Sequence, residues 1–140
     1  MPDSLKSRIE LTLDSTLDSV AHAERETEIL ASRAGFSEEE IQHLAMAVRE
    51  TLINAILHGN TYSTERKVHV SFSLESSALT ITIVDSGDGF DAESLPNPLA
   101  PENILKGSGR GLFLAKSFMD EVNFRRLHPG MEVTLIKRRS

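Results

Sequence analysis

The stretch IQHLAMAVRETLINAIL, residues 41–57, decides how the rest of the chain is read. Ile41, Leu44, Ala45, Val48, Leu52, Ala55 and Ile56 recur at helical spacing and define one buried stripe. At about 100° per residue, Glu50 and Asn54 fall on the opposite side, one turn apart. Met46, Ile53 and Leu57 flank that pair, so the second side is not expected to be an ordinary solvent face. A carboxylate among apolar neighbours is costly unless a metal, a ligand or a proton answers it. The chemistry of the chain is expected there.

The punctuation around this helix is equally readable. Ser37-x-x-Glu40 is a capping box that opens it, and His58-Gly59-Asn60 offers a glycine to end it. Upstream, residues 8–13 alternate as a short strand with Ile9, Leu11 and Leu13 on one face. Asp14 and Ser15 then offer an N-cap for a charged helix that runs to about Ala34 and stops at Gly35. Downstream, Val68, Val70, Phe72 and Leu74 alternate with polar residues as a half-buried strand. A turn at Ser76 and Ser77 leads into a second strand, residues 78–85. Residues 91–106 hold Pro96, Pro98 and Pro101 without a clear period and read as a long mobile loop, a type often used as a lid. A helix over residues 109–121 and a hairpin follow. The hairpin strands are residues 122–127 and 131–137, joined through His128-Pro129-Gly130. Mixed elements without strict βαβ alternation favour an α+β sandwich, with helices on one face of a mostly antiparallel sheet.

Composition narrows the function. At 140 residues the chain suits one domain, residues 1–140. Its 39% hydrophobic and 26% charged content is that of an ordinary soluble protein. A formal charge of −6 argues against nucleic-acid binding. Lys137, Arg138 and Arg139 read as a solvated tail in preference to a phosphate-binding patch. The absence of cysteine excludes a disulfide framework and a thiolate metal site. The first residues, MPDSLKSRIE, lack the apolar core of a signal peptide, and no apolar run reaches the ~18 residues of a membrane span. A cytoplasmic protein that binds no membrane is expected.

Two further segments carry chemistry. In Asp85-Ser-Gly-Asp-Gly-Phe90, Asp85 shares the strand face of Leu79, Ile81 and Ile83 by period two. A carboxylate at the end of an apolar face suits the floor of a pocket, where it can accept a hydrogen bond from an amino group. Gly87 and Gly89 permit close approach of a flat ligand. A surface turn capped by Asp85 fits the same letters. Gly107-Ser-Gly-Arg-Gly-Leu-Phe-Leu-Ala115 is a glycine-rich stretch opening a helix, a setting suited to phosphate. It lacks the Gly-Lys-Ser/Thr of a Walker A loop and follows no βαβ strand. A flexible hinge reads identically.

Taken in order, the three segments resemble the GHKL ATPase superfamily (gyrase B, MutL, heat-shock chaperone and histidine kinase ATP domains). Glu50-x-x-x-Asn54 matches its N box, Asp85-x-Gly87-x-Gly89 its G1 box, and Gly107-x-Gly109-x-Gly111-Leu112 its G2 box. The ordered set covers nearly the whole chain and is specific where each motif alone is weak. The flanks, from Val48 to Asn60, from Gly109 to Ala115 and Met119-Asp-Glu-Val122, are similar to those of the small serine kinases that act as anti-sigma factors, the RsbW and SpoIIAB type. No helical hairpin bearing a phosphoacceptor histidine precedes the boxes, which disfavours a sensor histidine kinase.

The resemblance implies a Bergerat-type ATP-binding sandwich with a lid over residues 91–107. It implies ATP and Mg²⁺ as cofactors, Asn54 as metal ligand and Glu50 as general base toward a serine or threonine hydroxyl. It also implies Asp85 on the adenine amino group, Gly87 and Gly89 making room for the base, and Gly107, Gly109, Gly111 and Leu112 over the phosphates. For Arg110 it implies neutralising developing charge there or touching the partner, where an arginine in a mobile lid otherwise stays solvated. The implied partners are a STAS-domain antagonist of the anti-sigma activity, a sigma factor, and a second copy of the chain in a homodimer. His58 and Asn60 read as helix-end residues, and His43 as partly exposed and without a role. Relatives often begin the last strand with Gly-Thr, whereas here Gly130 precedes Met131, so a hydroxyl contact near adenine is either lost or replaced by backbone. An alternative function is a non-catalytic module whose ATP only selects a protein partner. Glu50 favours the kinase, because a pure binder needs no base.

Overall fold

Alternation in the second strand sets the sheet. The computed structural model describes residues 7–56, 66–75, 77–86, 115–127 and 129–139. In β2 (Lys67–Glu75), Val68, Val70, Phe72 and Leu74 are buried while the intervening residues stay open. β1 (Ser7–Asp14) pairs with β2 on one side, and β3 (Ala78–Val84) on the other. β5 (Met131–Arg138) joins β3, and β4 (Glu121–Arg126) closes the order β1-β2-β3-β5-β4. All four pairings are antiparallel. The insertion of β5 between β3 and β4 is a non-local pairing that no local pattern specifies.

Two helices cover one face. α1 (Leu17–Ala34) and α2 (Glu38–Asn54) pack on each other, and α2 also touches β3 and β5. Val20, Ala23, Leu30 and Ala31 of α1 and Leu44, Ala47, Val48 and Leu52 of α2 share one core with Val70, Phe72, Ile81, Ile83 and Leu135. The opposite face keeps half-exposed hydroxyls, among them Ser71, Ser73, Thr80 and Thr82, as period-two alternation requires. The expected α+β arrangement is thus present. No helix among the described residues is long and apolar enough to cross a membrane.

Several local expectations shift. The N-cap of α1 is Thr16, whose hydroxyl accepts from the Ser19 N–H at 3.3 Å, and not Asp14 or Ser15. Those two are committed elsewhere: Asp14 ends β1 in an ion pair with Lys67, and buried Ser15 donates to the Arg66 carbonyl at 2.6 Å. Gly35 ends α1 with φ 87°, as expected. The helix expected to run to Glu121 stops earlier: residues 115–118 are helical, and Glu121 opens β4. Asp120 forces that exit, because its N–H donates to the Ile136 carbonyl at 2.9 Å and its carboxylate accepts from the Arg138 N–H at 2.5 Å.

The basic cluster is not a solvated tail. Lys137 and Arg138 belong to β5, where Arg138 also pairs with Glu121 at 2.6 Å. Arg139 donates to the Ala34 carbonyl at 2.7 Å, placing a cation at the C-terminal end of α1 where the helix dipole favours it.

The β3–β5 end holds one tight approach. Gly130 has φ 106°, and a Cβ there would collide with the Asp85 carbonyl oxygen and lie 3.1 Å from its carbon. Gly130→Ala is therefore expected to lower stability by at least ~2 kcal/mol in urea unfolding, through both backbone strain and collision. A change below ~0.5 kcal/mol would refute that packing.

Candidate functional site

The site begins with the rotation of α2. Ser37 and Glu40 form the expected capping box: the Ser37 hydroxyl accepts from the Glu40 N–H at 3.1 Å, and the Glu40 carboxylate from the Ser37 N–H at 2.9 Å. Leu44, Ala45, Val48, Leu52, Ala55 and Ile56 are buried as the spacing predicts, while Ile41 is only partly so. Ala47 and Thr51 are buried too, which the single-stripe reading misses because α2 packs against α1 as well as the sheet.

Glu50 and Asn54 lie on the remaining side and are half-buried. That side is more open than the sequence suggests. Met46 is 40% exposed and Ile53 only partly covered, and Leu57 lies outside the described residues. A half-buried carboxylate keeps part of its hydration, so no buried counter-charge is needed to hold it there. Among the described residues, no hydrogen bond or ion pair engages the Glu50 carboxylate. The Asn54 amide nitrogen donates to the Glu50 carbonyl at 2.9 Å, one turn back. This bond fixes the amide and leaves its oxygen as the atom available to a ligand, which suits a hard cation.

Asp85 sits where the period-two argument predicts. It follows β3 on the face of Leu79, Ile81 and Ile83 and is 3% exposed, so it is not a surface turn residue. Its N–H donates to the Met131 carbonyl at 3.1 Å, extending the β3–β5 ladder by one pair. Met131 stands directly across from Asp85 and is 1% exposed. The residue after Gly130 thus contributes backbone to Asp85 and an apolar side chain to the core. α2 touches β3 and β5, the two strands that carry Asp85 and Met131, which joins two of the three predicted segments in one packed unit.

The other predicted residues, Gly87, Gly89, Gly107, Gly109, Arg110, Gly111 and Leu112, lie outside the described residues, as do His58, Asn60 and the expected lid over residues 91–107. Among the described residues, no group of three or more acidic, histidine or cysteine side chains forms a metal site.

With this geometry in place, comparison with known proteins decides the family. The profile of the histidine kinase-like ATPase domain matches residues 13–137. The chain belongs to that family. Within it the ATPase domain is RsbW-like. It is 32% identical to the serine-protein kinase RsbW of Staphylococcus epidermidis over 141 residues, covering 96% of this chain and 88% of that protein. It is 33% identical to the serine-protein kinase RsbW of Oceanobacillus iheyensis over 99 residues, covering 66% of this chain and 63% of that one. The solved RsbU and RsbW domains of a Mycobacterium tuberculosis protein superpose with a TM-score of 0.69 at 18% identity, over 95% of this chain and 32% of theirs, which shows a shared fold.

One buried group beside Glu50 has no counterpart in the sequence reading. The Thr51 hydroxyl is sealed from solvent and meets no hydrogen-bond partner among the described residues. Thr51→Val keeps the shape of the ATPase domain's helix and removes that hydroxyl. It is expected to raise stability by about 0.5–1 kcal/mol in urea unfolding. A loss of stability would show that the hydroxyl is satisfied.

Proposed function

We propose that this chain is an ATP-dependent serine/threonine protein kinase and anti-sigma regulatory factor, which phosphorylates a STAS-domain antagonist in a partner-switching pathway. The observation that carries this reading is the Glu50–Asn54 turn. A carboxylate that meets no hydrogen bond or ion pair among the described residues and an amide with its nitrogen tied down share one half-open helix face. The names of the relatives, 32% and 33% identical, support the same chemistry.

In this reading residues 1–140 act as one nucleotide-binding unit, with residues 91–107 as its lid. Asp85 accepts a hydrogen bond from the adenine amino group, and its burial at the end of an apolar strand face supports that role. Gly87 and Gly89 make room for the base, while Gly107, Gly109, Arg110, Gly111 and Leu112 lie toward the phosphates. Asn54 offers its amide oxygen to Mg²⁺, which when bound neutralises phosphate charge. Glu50 takes the proton of the acceptor hydroxyl as that oxygen bonds to the γ-phosphorus and the bond to ADP breaks. The chain acts in the cytoplasm as a homodimer and takes a sigma factor as its second partner.

Glu50→Gln is expected to lower phosphate transfer to the STAS partner by at least about a hundredfold while leaving MgATP binding intact. Transfer at the normal rate would end the general-base assignment. Binding of MgATP by the unmutated chain without any transfer would replace the kinase by a nucleotide-gated binding module. Asp85→Asn is expected to weaken MgATP binding about tenfold, with little change in melting temperature. Loss of stability in step with affinity would make Asp85 a structural residue only.

A further inference from the structure

Among the described residues the sheet has two edge strands, β1 and β4. Of these, β4 alone carries a large apolar side chain in the open: Phe124 is 41% exposed. Every residue of β4 except Val122 is exposed. The Leu127 N–H donates to the Gly130 carbonyl at 2.9 Å, and these two continue the β4–β5 register. Bonded pairs alternate along an antiparallel ladder, so Glu121, Asn123 and Arg125 bond to β5. Val122 and Phe124 then turn their backbone N–H and C=O groups to the open edge.

The side chains of β4 divide by face. Val122 packs against the core and Phe124 shares its side, while Glu121, Asn123 and Arg125 stand on the face away from the helices. About Asn123 the strand is self-complementary: Glu121 and Arg125 are equidistant from it, and Val122 and Phe124 flank it. A second β4 laid antiparallel with Asn123 on Asn123 sets Glu121 against Arg125 twice and Val122 against Phe124 twice. It also brings the edge groups of Val122 to those of Phe124, the bonded position such a ladder requires. Moving the two-fold axis to Val122 or Phe124 leaves Glu121 or Arg125 opposite Asn123 and loses both ion pairs. Charge therefore selects one register. The charges are already ordered, since Arg125 meets Glu132 at 3.3 Å and Glu121 meets Arg138 at 2.6 Å. Across the seam the row runs Glu132, Arg125, then Glu121 and Arg138 of the second copy, alternating in sign throughout.

We propose that β4 is the seam of a homodimer: two copies of this chain join their five-stranded sheets edge to edge through β4, antiparallel, with the two-fold axis at Asn123. The pairing satisfies the edge N–H and C=O groups and covers Phe124 with Val122 of the second copy. It gives the homodimer of the function proposed above a surface and a register, and it needs no nucleotide. One strand a side buries less than a standard stable interface, so the association depends on concentration.

The chain has no cysteine, so single substitutions in the full chain report the register without background. Asn123→Cys is expected to form an intermolecular disulfide under mild oxidation. Residues at a non-bonded pair of an antiparallel ladder lie about 4.5 Å apart at Cα, within disulfide reach. Glu121→Cys and Arg125→Cys lie about 13 Å from their own copies and are expected to crosslink at least about tenfold more slowly. Sedimentation equilibrium supplies the second readout. Arg125→Glu and Glu121→Arg each set like charges across the seam and are expected to weaken self-association about tenfold. An equimolar mixture of these two variants restores both opposite-charge pairs. It is expected to associate as the unmutated chain does, which also shows that each variant is folded. Crosslinking of Arg125→Cys as fast as Asn123→Cys, or a mixture that associates no more tightly than its components, would overturn the proposal. A dimer that Asn123→Cys does not trap and Arg125→Glu does not weaken keeps the homodimer but rejects this seam. A chain that stays monomeric up to about 1 mM rejects both.

Discussion

The seating of α2 between α1 and the strands β3 and β5 is the contact on which everything else depends. Leu44, Val48, Leu52 and Ile56 are fully buried, so rotating the helix about its axis would expose a leucine or isoleucine for every polar group it hid. Each such side chain is worth roughly 1.5–3 kcal/mol of burial. That cost locks the rotation, and the rotation places Glu50 and Asn54. Their position follows from the apolar residues behind them, with no polar contact needed to hold Glu50 in place.

The same seating links the two ends of the site. α2 rests on β3 and β5, and those strands meet at their site end through the Asp85 N–H and the Met131 carbonyl. Gly130 lets the backbones approach there more closely than any side chain would permit. Asp85 is therefore held by main-chain geometry.

Much of this was legible in the letters because it is local. Ser37 and Glu40 sit three apart, and reciprocal capping is decided within one turn. Leu79, Ile81, Ile83 and Asp85 alternate, and alternation along a strand places all four on one face. The misread positions are those whose partners lie far along the chain. Ser15 fits an N-cap by local rules, but its hydroxyl goes to Arg66 and the duty passes to Thr16. Arg139 looks like a frayed tail until the Ala34 carbonyl, over a hundred residues earlier, is brought beside it. The flat ring stack of His43 on Phe118 has no signal at all in one dimension, because the two are distant in sequence and stacking leaves no periodic trace.

The sequence by itself determined the element types, the buried faces of β2 and β3, the capping of α2 and the pairing of Glu50 with Asn54 on one side of a helix. Each depends on residues within about a turn or a strand of one another, where backbone geometry alone relates their positions. Only the tertiary structure decided that β5 enters between β3 and β4, that Met131 faces Asp85, that the Glu50 side of α2 is half-open, and that His43 lies flat on Phe118. Those facts arise from packing between distant segments, and their energies come from area and contact that local pattern does not encode.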